Sequence, residues 1–249
     1  MSKSATRFRR DGEYGFDAPY APIGLGLGGV AFLVGAVLNA TQGVVGAAIV
    51  LLLAAVWMFL STASYIYTTR RGKFAVWAEL LASLRLRGDE RLLDLGCGRG
   101  AVLLMAAQLL PRGEAVGVDL WKTSDQSGND PAVTRRNAAA EGVAGRVALE
   151  TADMRALPFA DGTFDLVVSS LAIHNIPAAP ERAKAVAEAA RVLKPGGRVV
   201  IADIRAADEY AAELRRLGLR DVALRPLGWR FWYGGPWVAA RLVTATKPD

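Results

Sequence analysis

The sequence predicts an α/β protein, an open and mostly parallel sheet, preceded by two transmembrane α-helices. Three observations carry this expectation. The N-terminal part holds a long uncharged stretch, the rest alternates strand and helix patterns, and a glycine-rich turn sits between the first strand and its helix. Of the 249 residues, 52% are hydrophobic, which excludes a disordered chain. A single cysteine, Cys97, excludes an intrachain disulfide framework. With one histidine besides, no metal site is expected. The net charge of +6 suits nucleic acid, anionic lipid or no specific partner, so its placement matters more than its size.

Residues 18–69 contain no Asp, Glu, Lys or Arg. Two apolar stretches lie inside, 23–40 and 44–66, broken by Thr41-Gln42-Gly43. As helices they reach roughly 27 and 34 Å, which matches a hydrocarbon core about 30 Å thick. A soluble helix of that length keeps a polar face, and these have none. A cleaved signal peptide fits less well, because a second apolar segment follows at once. Glycines at 24, 26, 28, 29, 35, 43 and 46 predict close helix packing. Trp57, Tyr65 and Tyr67 are candidate interface anchors, the tyrosines foremost. Lys3, Arg7, Arg9 and Arg10 precede the hairpin and Arg70, Arg71 and Lys73 follow it, so the positive-inside rule places both ends in the cytoplasm. The expected division is a cytoplasmic segment 1–22, a hairpin 23–67 and a globular domain 68–249, in a multi-pass protein of the cell membrane with its catalytic domain cytoplasmic.

In the globular domain, strands are expected at 91–95, 115–119, 147–151, 164–169 and 198–203, with helices at 100–110, 131–142, 180–192 and 206–217. A last strand pair is expected at 222–226 and 237–246. Strands alternating with helices argue a parallel sheet.

The informative turn is Asp94-Leu-Gly96-Cys97-Gly98-Arg-Gly100. Its glycines permit a tight bend and let a ligand approach the backbone. Asp119 ends the next strand, where a carboxylate can accept both ribose hydroxyls of an adenosine. A dinucleotide site needs Gly-x-Gly-x-x-Gly, yet position 101 is Ala. Asp94 would repel a pyrophosphate and suits the cationic amino group of a methionine moiety. The pattern favours S-adenosyl-L-methionine over a nicotinamide dinucleotide.

These residues resemble the class I S-adenosylmethionine-dependent methyltransferases, in the group of the ubiquinone/menaquinone C-methyltransferases. The matching pieces are 92–100, Val116-Gly-Val-Asp119, Ala152-Asp153-Met154, 157–165, 166–174 and Leu193-Lys-Pro-Gly-Gly197. The resemblance implies a Rossmann-like class I methyltransferase sheet. It implies Asp94, Gly96, Cys97, Gly98 and Gly100 at the methionine end, Asp119 with Leu120 at the ribose, Asp153 and Met154 at the adenine, and Ser169 near the sulfonium. The segment 120–130 is longer and more polar than the family's. It either covers the cofactor, with Trp121 near the adenine, or is an exposed loop.

A methyl acceptor that carries a proton needs a base. His174, just past the fourth strand, is the candidate, with local packing as the plainer account. Cys97 is rejected as a nucleophile, since the turn needs a small side chain and no histidine is near in sequence. From 214 to 247 seven basic residues meet one acid, interleaved with Trp229-Arg-Phe-Trp-Tyr233 and Trp237. This tail fits an anionic membrane surface, nucleic acid, or simply a strand hairpin with solvated arginines. With a tethered chain, lipid is favoured and no nucleic acid is expected. The expected partner is a small-molecule or lipid acceptor such as a quinone or isoprenoid, with the acceptor atom and oligomeric state left open. A nicotinamide-dependent oxidoreductase and a non-catalytic cofactor-binding membrane protein remain alternatives.

Overall fold

The structure, a computed structural model, describes residues 8–249. Lys3 and Arg7 of the basic N-terminal flank lie outside the described residues. Helix α1 (Tyr20–Thr41) and helix α2 (Val45–Tyr67) pack as an antiparallel pair. Both are long and apolar enough to cross a membrane. Glycine lets them approach closely where they touch. A Cβ on Gly29 would stand 2.7 Å from the Phe59 ring, and one on Gly28 would stand 2.5 Å from Met58 Cε. Their outward side chains, among them Leu27, Val34, Val50, Leu53 and Leu60, are exposed on the molecule.

A π-helical turn, Thr68–Gly72, carries α2 into helix α3 (Lys73–Ser83). The sequence reading placed no helix here. Its basic residues read as a membrane flank, while Phe74, Val76, Trp77, Leu80 and Leu81 form a buried face against the sheet.

The strands are β1 (Arg91–Leu95), β2 (Glu114–Asp119), β3 (Val147–Thr151), β4 (Phe164–Ser170), β5 (Leu193–Asp203), β6 (Arg220–Pro226) and β7 (Arg241–Thr246). Their order is β3-β2-β1-β4-β5-β7-β6, with β1 to β5 parallel and β7 antiparallel to both neighbours. Helices α4 (Ala101–Gln108) and α5 (Pro131–Ala140) join α3 on one face. Helices α6 (Ala179–Val192) and α7 (Ala207–Arg216) cover the other. Asp130 caps α5 by accepting from Ala132 N, with proline in its first turn.

Two boundaries differ from the sequence reading. β5 is counted from Leu193, but its pairing with β4 jumps from Phe164–Leu193 to Leu166–Arg198 and Gly196 has φ +71°, so the expected turn at 195–197 stands as a bulge before the regular strand. β7 begins at Arg241, because Trp237 belongs to a short 3-10 turn that sets its ring 5.0 Å from Trp57. The anchor assignment is also corrected. Tyr65 is buried, donates to the carbonyl of Asp17 and packs edge-on against Tyr233. Tyr67 is half-buried and stacks on Trp229. Exposed aromatics include Tyr20 (69%), Trp57 (51%), Trp229 (59%) and Trp237 (57%). Three of the tail's six arginines pair with carboxylates, Arg216 with Glu213, Arg230 with Glu79 and Arg241 with Asp208, and the paired side chains stay partly exposed.

Residues 8–17 form a strap across α4, α5 and the loop after β2. Arg9 N donates to Gln108, Gly12 N to Glu141, Glu13 N to Asn137 and Phe16 N to Ser127. The strap ends at Asp17, whose carboxylate accepts from Lys73 Nζ, Gln126 Nε2 and Tyr233 OH. The Lys73–Asp17 pair is buried, so Lys73 is not a headgroup-facing charge. Substituting Asp17→Ala strands that ammonium, and removing one partner of a buried pair costs about 3 kcal/mol. The expected result is a lower unfolding midpoint in chemical denaturation and faster proteolysis before Ala18. A change within experimental error would refute the hub.

Candidate active site

The site is built where the carboxyl ends of β1, β2 and β4 meet the turn before α4. Gly96, Gly98 and Gly100 have φ of +71°, +51° and +86°, a region that side chains other than glycine rarely adopt. Gly96 N and Cys97 N both donate to Val118 O, which pins the turn to β2. A Cβ on Gly96 would stand 2.2 Å from the Ala172 Cβ and 3.4 Å from Met154 Cε. Met154 and Ala172 therefore close on the bare face of Gly96.

Asp94 is 2% exposed, and its Oδ1 has no hydrogen-bond partner among the described residues. Burial raises its pKa to about 7, opposed by a backbone hydrogen bond from Leu103 and helped by a smaller push from Asp119. A buried carboxylate oxygen left without a donor is costly, and a cation placed against it removes that cost. This orphaned oxygen beside the glycine turn fits the ammonium of a methionine moiety.

Asp119 is already held. Its Oδ2 accepts from Gly98 N at 2.8 Å, and its Oδ1 accepts from Trp121 N at 2.6 Å and Asn129 Nδ2 at 3.1 Å. Leu120 beside it is exposed. The indole of Trp121 donates to Thr151 Oγ1, so the ring lies over the ends of β2 and β3. The long loop is tied to the strap as well as to the turn. Gln126 accepts from Arg99 N and donates to Tyr14 O and Asp17, and its Oε1 lies 2.4 Å from where a Gly98 Cβ would stand.

Three assigned residues have their side chains engaged elsewhere. Cys97 is buried with Sγ directed at Gly117, 2.7 Å from the Cβ position there, so only its backbone belongs to the turn. Burial pushes its thiol well up, which agrees with its rejection as a nucleophile. Ser169 is fully buried and donates to Leu95 O at 2.9 Å, joining β4 to β1. Asp153 receives Arg155 on both oxygens, and that guanidinium holds its carboxyl below the ordinary value.

His174 sits in a 3-10 turn after β4. Its Nδ1 lies 2.5 Å from Asp203 Oδ1, and its backbone N donates to Asp203 Oδ2. Asp203 is 1% exposed and also accepts from Ile204 N and Tyr210 OH. Burial and this carboxylate raise the Tyr210 phenol, which keeps it a donor. Nε2 of His174 has no partner among the described residues. The sequence reading missed Asp203, although an acid closing an apolar strand, two strands over from the glycine turn, was the available signal.

A mixed sheet of this order, parallel from β1 to β5 with β7 antiparallel and a glycine turn at the carboxyl end of β1, is a Rossmann-like methyltransferase fold. The family model described as "Methyltransferase domain" matches residues 93–201. That match places a methyltransferase domain within the globular part. Over 131 residues the chain is 34% identical to the demethylmenaquinone methyltransferase of Symbiobacterium thermophilum, covering 52% of this chain and 49% of that protein. Over 131 residues it is 36% identical to the ubiquinone/menaquinone biosynthesis C-methyltransferase UbiE of Dinoroseobacter shibae, again covering 52% and 49%. The chain spans about half the length of these curated relatives. Its fold is similar to that of geranyl diphosphate C-methyltransferase from Streptomyces coelicolor A3(2), with a TM-score of 0.57 at 18% identity over 72% of this chain and 80% of that one.

Proposed function

We propose that the chain is a membrane-tethered enzyme that moves a methyl group from S-adenosylmethionine to a lipophilic acceptor at the cytoplasmic face of a bilayer. One observation carries the lipophilic part. Because β6 runs parallel to β5, its carboxyl end and the aromatic segment 227–240 lie at the same end of the sheet as the glycine turn. The apolar hairpin joins there too. Ser64 and Thr68 of its second helix and the π-turn donate to Trp232 O, and Gly72 leaves room for Arg230 O. Once α1 and α2 are in a bilayer, the mouth of the site faces it, and an acceptor dissolved in lipid reaches it without crossing water.

S-adenosylmethionine supplies a methyl group on a cationic sulfur, transferred by in-line displacement, so alignment is the protein's main task. Asp94 holds the ammonium, Gly96 and Met154 bound the cradle, and Asp119 with Leu120 stands at the ribose. Asp153 and Ser169 serve that site only through rearrangement of their present bonds. His174, oriented by Asp203, takes a proton from the acceptor at Nε2. The names of the relatives support a quinone or isoprenoid acceptor.

The test is transfer of labelled methyl from S-adenosylmethionine by the purified full chain to a membrane lipid extract. Label in the organic phase, dependent on Asp94, is expected. Label found only in water-soluble molecules or protein would sink the lipophilic reading.

A further inference from the structure

A second concave feature lies outside the cofactor turn. A cleft of about 350 Å³ opens between the strap and the start of α3. Arg10, Arg70 and Arg99 line it, with Glu13, Tyr14 and Phe74. Each guanidinium is placed before any ligand arrives. Arg10 lies 4.2 Å over the Phe74 ring and Arg70 lies 4.3 Å over the Phe16 ring. Arg99 is held under the strap by a bond to Ser127 O, its side chain 11% exposed. Its Nε is buried and has no partner among the described residues.

The charges in the cleft do not cancel. Glu13 is the acid in its lining, largely in solvent and 3.7 Å from Arg99. Among the described residues neither Arg10 nor Arg70 pairs with a carboxylate. A buried donor left unmade is costly, and an anion supplies what it lacks. Guanidinium forks match phosphate oxygens in geometry as well as charge.

The position is equally informative. Arg70 follows Tyr67, the last residue of α2, by three positions. On the membrane reading above, this is the depth of lipid phosphates. The cleft shares only Arg99 with the glycine turn, and there Gln126 already occupies both the Arg99 N–H and the bare face of Gly98.

We propose that this cleft binds the phosphate of a membrane-embedded ligand. The proposal rests on the tethered-methyltransferase reading and narrows its ligand to a phosphate-bearing lipid. The phosphate belongs either to a bulk anionic headgroup or to a phosphorylated isoprenoid acceptor.

The test uses the full chain in phosphatidylcholine nanodiscs, titrated by calorimetry with inorganic pyrophosphate, farnesyl diphosphate and S-adenosylhomocysteine. Saturable pyrophosphate binding is expected. In the double variant Arg10→Gln/Arg70→Gln it weakens by about tenfold or more, as expected for lost charge-assisted bonds. Affinity for S-adenosylhomocysteine stays within about twofold, and Arg10→Lys/Arg70→Lys recovers part of the phosphate affinity because the charges return. Nanodiscs containing phosphatidylglycerol distinguish the sources. Displacement of pyrophosphate by that lipid supports the headgroup, and tighter binding of farnesyl diphosphate without such displacement supports the acceptor. Pyrophosphate affinity unchanged in the glutamine variant overturns the proposal. So does a parallel loss of S-adenosylhomocysteine affinity, which would make the cleft part of the cofactor site. Failure of the unsubstituted chain to bind S-adenosylhomocysteine would instead count against the methyltransferase reading, whatever pyrophosphate does.

Discussion

Asp94→Asn is expected to abolish measurable affinity for S-adenosylhomocysteine while making the ligand-free protein more stable. The two effects have one cause. Asp94 is buried without a donor for Oδ1, and burial raises its pKa from 3.8 to about 7. A value higher in the folded than in the unfolded state means that ionisation weighs against folding. The ligand-free protein therefore loses stability as pH rises from about 4 to about 7, and the loss is complete above that window. A shift of roughly three units sets an upper bound of about 4 kcal/mol on the loss. Asparagine carries no charge and removes this pH dependence, so the variant should melt higher than the parent at pH 8 and nearly with it at pH 4. Ligand binding has the opposite sign. The ammonium needs the ionised carboxylate, so parental affinity falls about tenfold per pH unit below pH 7. Melting curves at the two pH values and calorimetry across them measure both. A variant less stable than the parent at pH 8, or one that binds normally, would remove Asp94 from the cradle.

The same residue shows how far the sequence carries. Asp94 and the three glycines were readable because their role is local: a bend of positive φ and an acid beside it sit in consecutive positions. The alternating strands were readable for a similar reason, since each records its own burial. What escaped depends on contacts distant in sequence. Asp17 reads as the last charge before an apolar stretch, yet it meets Lys73, Gln126 and Tyr233 from three other elements. Tyr65 reads as an interfacial anchor until Tyr233 is found against it. Helix α3 was hidden because arginines at its start resemble a membrane flank. The side-chain commitments of Asp153 and Ser169 were equally invisible, one to Arg155 and the other to Leu95 O. Residue type announces what a group can do, whereas its neighbours decide whether the group is free to do it.

Asp203 illustrates the point with a measurable consequence. It touches no reacting atom in the proposed chemistry and acts through His174, so it is a positioning residue. Its carboxylate fixes Nδ1 as the protonated nitrogen and leaves Nε2 as the acceptor. Asp203→Asn offers an amide in its place, which allows the opposite tautomer and misdirects the ring. Turnover is expected to fall by a factor on the order of 10² to 10⁴, the range general-base catalysis contributes. Affinity for S-adenosylhomocysteine should stay unchanged, because neither residue lies in the cradle. His174→Gln should cost about as much, and the double variant little more, since the two act as a unit. The pH profile separates this role from a structural one. A general base gives the parent's turnover a rising limb with pH, and in Asp203→Asn that limb should flatten or move. Tyr210→Phe serves as the packing control, because it removes one donor to Asp203 and leaves the imidazole contact in place. Additive losses in the double variant, or a fall in turnover with the pH limb unmoved, would reduce His174 and Asp203 to a structural pair closing the turn after β4.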